Sequence, residues 1–108
     1  NKIYIRGVVE KWSGDTLTVQ LNDKKGSIQV ANPAKVLCQP EFIADESGNS
    51  IPSSDIYIDL TNFKGDLTPV DIARVKSAFP AGANIALTAN KANDAWQADI
   101  LIGFGCNL

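Results

Sequence analysis

Apolar residues recur at every second position in several separate stretches, and this period constrains the fold more than any other feature. Ile3, Ile5, Gly7 and Val9 hold one parity against Lys2, Tyr4, Arg6 and Glu10. Leu17, Val19 and Leu21 alternate with Thr16, Thr18 and Gln20, and Ile28 and Val30 again share a parity. Successive side chains of a strand point to opposite faces, so each stretch reads as a strand with one buried and one wet side. Ser13-Gly14-Asp15 and the segment 22–26 interrupt the alternation with turn residues. The first 30 residues are therefore expected to form an antiparallel meander of three strands.

The period changes further on. Asn32 as a cap and Pro33 at a first helical position predict a short helical turn over 32–37. Residues 39–54 are rich in Pro, Ser, Gly, Asn and acids and read as the longest loop. A further strand is expected over 55–62, with Ile56, Ile58 and Leu60 inward and Tyr57 and Asp59 outward. A helix follows at about 68–79: Thr68 is a capping residue, Pro69 fits the first turn, and Asp71 places a carboxylate near the N-terminus. Ile72, Val75 and Phe79 form its apolar stripe, and Pro80 and Gly82 end it. Two last strands, 84–90 and 95–102, make a hairpin with Ile85, Leu87 and Ala89 facing Trp96, Ala98, Ile100 and Ile102.

With 108 residues, of which 44% are hydrophobic and 20% charged, the chain has the size and composition of one globular domain spanning 1–108. No apolar run approaches the roughly 20 residues of a membrane helix. The net charge of -2 supplies no general field toward nucleic acid, which disfavours that partner. A chain that starts at Asn1 and holds no Met is expected to be a processed product, from which a signal peptide or another leading segment has been removed. An exported domain with two cysteines often pairs them, so a Cys38–Cys106 disulfide is expected; the alternative is two reduced, buried cysteines in a cytosolic protein.

Three meandering strands, a helix and a final hairpin follow the order of an OB-fold. The run from Ile5-Arg6-Gly7-Val8-Val9 through Trp12-Ser13-Gly14-Asp15-Thr16-Leu17-Thr18-Val19, followed by Gly26-Ser27-Ile28-Gln29-Val30, resembles the opening of a bacterial OB-fold family of small periplasmic proteins. The expected fold class is mainly β (a β-rich α+β chain): a small OB-like Greek-key barrel of five to six strands with one helix. The resemblance implies a periplasmic or secreted location and a binding role, and it carries over no catalytic residue.

The chemistry available to the side chains agrees with a binding role. The chain has no His, the usual proton-transfer residue and the commonest metal ligand. Neither cysteine has an activating base readable beside it. Asp45, Glu46 and Asp55 flank the long loop, but their spacing is not that of a calcium loop, so they read as solvated acids and no metal or cofactor is expected. Tyr4, Arg6 and Trp12, with Lys24, form the expected ligand face, since a ring beside a guanidinium on an OB strand can stack a base or sugar; the alternative is an ordinary solvated sheet face for Tyr4 and Arg6, with Trp12 covering a barrel end. Phe63, Phe79 and Trp96 read as core or core-rim aromatics. The leading expectation is a non-catalytic module binding a protein or small molecule through its outward strand face and the 39–54 loop. An oligonucleotide or oligosaccharide binder and a carboxylate-based enzyme are the alternatives.

Overall fold

The computed structural model describes residues 2–55 and 67–106. The meander forms as the alternation requires, from β1 (Lys2–Ser13), β2 (Thr16–Gln20) and β3 (Lys25–Gln39). The final hairpin is β7 (Asn84–Ala92) and β8 (Ala95–Phe104), joined by Asn93 and Asp94, both at positive φ. The sheet runs β2-β1-β7-β8-β3 and closes through β2–β3 pairing. The β3–β8 pair is parallel and the other barrel pairs are antiparallel. This is a closed five-stranded barrel of OB-like topology with the helix α1 (Ile72–Ala78) inserted between its third and fourth strands.

β1 serves two neighbours in turn. Lys2 to Val8 pair with β7, and Val8 to Ser13 pair with β2. Gly7 stands at this corner because the strands approach too closely for a side chain: a Cβ there would lie 2.5 Å from the Gln20 carbonyl oxygen and 2.6 Å from Val19 Cγ1.

Inward residues of all five strands fill the barrel. Val9, Leu17, Val19, Ile28, Val36, Leu87 and Leu101 join Val75 and Phe79 of the α1 region in one buried cluster. Burying such side chains contributes about 1.5–3 kcal/mol each, the main favourable term for so small a domain.

Two bulges shift the alternation. Lys11 pairs with Thr18 directly after Val9 pairs with Val19, which leaves Glu10 as the extra residue, and Asp99 is extra between Ala98 and Ile100. Each bulged acid lies outward against a lysine, Glu10 on Lys25 at 2.7 Å and Asp99 on Lys2 at 3.3 Å. Beyond Asp99, Leu101 and Gly103 pair with the inward Leu87 and Ile85, so Ile100 and Ile102 do not face the inward residues of β7 as the simple alternation predicts.

Other expectations need correction. Residues 32–37 are not helical but continue β3, where the barrel strand passes from β2 to β8 through an irregular stretch between Val30 and Lys35 that holds the cis Asn32–Pro33 bond. Thr68–Val70 forms a strand, β6, paired antiparallel with Ala34–Val36, so the helix starts later than Thr68. Its cap is Asp71, whose side chain accepts from Arg74 N at 3.1 Å, and Asn32 Oδ1 accepts from Ile72 N at 3.1 Å. Thr68 and Asp71 are both good caps. Burying Val70 against β3 selects the later one, and Pro69 is tolerated on an edge strand. The 39–54 segment carries a small hairpin of β4 (Phe42–Ala44) and β5 (Ser50–Pro52). The strand expected over 55–62 falls, from Ile56 onward, outside the described residues, as do Tyr57, Asp59 and Phe63; Asp55 itself ends a short 3-10 turn.

Candidate functional site

The expected face of Tyr4, Arg6, Trp12 and Lys24 does not assemble as one surface. Tyr4 and Arg6 hold neighbouring outward positions on β1, opposite Thr88 and Ala86 of β7. Trp12 shares their parity in the sequence, yet the Glu10 bulge turns it the other way. It pairs with the buried Leu17, packs on the core cluster and donates its indole N–H to the Phe79 carbonyl at 2.9 Å. That bond ties β1 to the C-terminal end of α1 and makes Trp12 part of the closure of this barrel end. Lys24 lies at the opposite end, in the turn between β2 and β3, where its carbonyl accepts from Leu21 N at 2.8 Å.

The acids do not converge either. Asp45 Oδ1 accepts from Ser47 N at 2.9 Å and from Asn49 N at 2.8 Å, so it builds the turn between β4 and β5. No cluster of three metal-ligating side chains exists among the described residues.

Cys38 and Cys106 are joined, with their Cα atoms 5.6 Å apart. The bond holds the chain beyond β8 against the end of β3, and Gly105 N adds a hydrogen bond to Gln39 O at 2.7 Å. Gly103 lies beneath it; a Cβ at that position would collide with Cys106 Sγ and reach Phe79 Cε1 at 3.0 Å. From this anchored point the 39–54 segment leaves and returns. Ser53, which is buried, donates its N–H to Glu41 O at 2.9 Å and its hydroxyl to Pro40 O, clamping the two ends of the excursion together.

The clamp sets Ser54 and Asp55 against the barrel wall. They share a cleft of about 380 Å³ with Arg6 and Val8 of β1, Asn22 of the β2–β3 turn, Asn84 of β7 and Phe104 of β8. A guanidinium, a carboxylate, two carboxamides, a hydroxyl and an aromatic side chain thus line one cleft. Neither Arg6 nor Asp55 forms an ion pair among the described residues. The outward position of Arg6 was legible from the alternation; the neighbours it meets in the cleft need the register. Asn22, Asn84 and Phe104 are brought to Arg6 only by the strand register, which the sequence does not display.

A second cavity, of about 440 Å³, opens at the barrel end that holds Lys24, and Trp96 lines it. The expectation of Trp96 as a core-rim aromatic holds: it is half-buried and packed on the core cluster.

No family model, no curated protein and no solved structure matches this chain.

Proposed function

We propose that this chain is a non-catalytic, exported binding module that holds a small polar ligand in the cleft between the outward face of β1 and the end of the 39–54 segment. One observation carries the reading: Arg6 and Asp55, unpaired among the described residues, share a cleft with Asn22, Asn84 and the ring of Phe104. Convergent polar groups around an aromatic surface are the usual makeup of a small-molecule site. The cleft volume of about 380 Å³ falls in the range of about 300–1,000 Å³ that such sites occupy. A saccharide is the ligand that best matches this set, because its ring stacks on Phe104 while its hydroxyls donate to Asp55 and accept from Arg6.

The joined cysteines support a periplasmic or secreted location, since disulfides persist in oxidising compartments. Among the described residues no helix is long and apolar enough to cross a membrane. The inward turn of Trp12 removes the base-stacking ring from the Arg6 face and speaks against the oligonucleotide reading. The use of Asp45 within its own turn speaks against the carboxylate enzyme.

The test is a titration of the 15N-labelled, oxidised protein with a panel of mono- and disaccharides. Amide shifts are expected at Arg6, Asn84 and Phe104 for at least one sugar, and they are expected to vanish in Arg6→Ala. No shift from any sugar, or shifts unchanged in both Arg6→Ala and Asp55→Ala, would refute the cleft as the site.

A further inference from the structure

We propose that the open end of the barrel is a second binding site, separate from the Arg6 cleft, and that it takes one molecule of a small anionic amphiphile. The two barrel ends differ in how they are filled. At one, Trp12 and the α1 region close the core, with Phe79 and Val75 fully buried. At the other lie the start of β1, the β2–β3 turn and the start of β8, and they surround the cavity of about 440 Å³. Its volume is that of a small-ligand pocket.

The lining is mostly apolar, with Lys24, Lys25 and Ser27 its polar members. Val19 and Ile28, both essentially buried, stand next to Ile5, Leu21 and Trp96, while Ile3 at the lip is 36% exposed. Gly26 keeps the cavity open, because a Cβ added there would meet only Leu21 Cδ1, at 3.9 Å. A larger residue at this inward position would fill the space with protein. Apolar surface left facing water at a barrel mouth gains free energy when an apolar group covers it, about 25 cal/mol per Å².

Charge selects the occupant. Four lysines gather at this end in a chain whose net charge is -2. Lys2 is paired with Asp99, and Lys25 with Glu10. Lys24 lines the cavity with no carboxylate partner among the described residues. Lys91 extends its ammonium over the Trp96 ring, 5.9 Å from the centroid, and also has no carboxylate partner among the described residues. Asp23 and Asp94, in the two turns at this end, do not line the cavity. An apolar pit with cationic groups at its lip is complementary to a single apolar chain with a carboxylate head. The tail lies on Ile3, Ile5, Leu21 and Trp96, the partly exposed apolar lining, and the head meets Lys24.

The experiment is isothermal titration of the oxidised protein with decanoate, decanol and decyltrimethylammonium, each below its micelle concentration. Decanoate is expected to bind one to one and about tenfold tighter than decyltrimethylammonium. Lys24→Glu is expected to weaken decanoate about fivefold, the scale of one exposed charge interaction, and to leave decanol unchanged. Gly26→Leu is expected to abolish decanoate binding while the circular dichroism spectrum is retained. Should that variant misfold, Ile3→Glu at the exposed lip replaces it with the same expected loss. Equal affinity for decanoate and decanol, insensitive to Lys24→Glu, overturns the anionic preference. Absence of decanoate binding, binding that survives both cavity variants, or binding to anionic vesicles without binding to decanoate overturns the site. Saccharide shifts around Arg6 are unaffected by any of these results.

Discussion

Replacing Gly7 with Ala tests the claim that the barrel closes only because β1 carries no side chain at its corner. Cβ atoms essentially never come within 3.0 Å of a neighbour, and this one would stand 2.5 Å from the Gln20 carbonyl oxygen, so β1 and β2 must separate by at least about 0.5 Å. The obstacle is backbone rather than a flexible side-chain end, and it sits where Val8 pairs with Gln20 and Val9 with Val19. Overpacking of this kind costs about 1–3 kcal/mol. The substitution also restricts the unfolded chain, which returns about 0.4–1 kcal/mol. A net loss of about 1 kcal/mol follows, equivalent to roughly 5 °C in Tm for a domain of this size. Gly26→Ala is the matched control: its unfolded-state gain is the same, and its Cβ meets nothing closer than 3.9 Å. The assay is urea unfolding of both variants and the wild type with the disulfide intact, followed by circular dichroism, with equal slopes required before midpoints are compared. If Gly7→Ala and Gly26→Ala agree within about 0.5 kcal/mol, the close approach at the corner does not limit the fold and the reasoning fails.

Trp12→Phe keeps an aromatic ring but leaves the Phe79 carbonyl without its donor; a loss of about 1 kcal/mol in urea unfolding is expected, and none would show the bond to be idle. Replacing both cysteines by Ser opens a cross-link with a sequence separation of 68, for which the chain-entropy estimate is about 4 kcal/mol, measured as the drop in unfolding free energy. Gly103→Ala drives a methyl group into Cys106 Sγ, so it should cost about 2 kcal/mol in the oxidised protein and clearly less in a Cys38→Ala, Cys106→Ala background. Lys25→Ala removes a partly exposed ion pair with Glu10 and should change stability by under about 0.5 kcal/mol by the same assay.

Much of the barrel was legible because period-two alternation is a direct consequence of strand geometry, and it held wherever pairing was regular. It misled past each bulge. Nothing in the identity of Glu10 or Asp99 announces an extra residue, yet one such residue exchanges inside and outside for all that follow it. Trp12 therefore moved from an expected ligand face into the closure of the core, and Ile100 and Ile102 lost their expected partners. The helix start was ambiguous for another reason: Thr68 and Asp71 are equivalent caps locally, and only pairing of Thr68–Val70 with β3 decides between them. Pro33 read as a helical first residue because its fixed φ suits that position, although the same residue also sits at strand irregularities, where a missing N–H removes no ladder bond.

The two candidate sites were hidden because each depends on register between strands far apart in the chain. Arg6 reaches Phe104 only through β7, which pairs with β1 on one side and β8 on the other. Lys24 reaches Trp96 only because β3 and β8 run parallel, Val30 against Ala98, which puts Ile28 level with Trp96 two residues earlier. The same register explains why one barrel end is filled and the other holds a cavity. Where β1 meets β2, the bulge turns an indole inward and the end of α1 receives its N–H, so the core is complete. At the other end, where β3 meets β2, the inward position next to Ile28 is Gly26, and a Cβ there would meet only Leu21 Cδ1, at 3.9 Å. Filling that position would add buried apolar area to the core; with glycine there, Ile3, Leu21 and Trp96 stay partly exposed unless something else covers them. A ligand does so, and its binding free energy then adds to the stability of the fold.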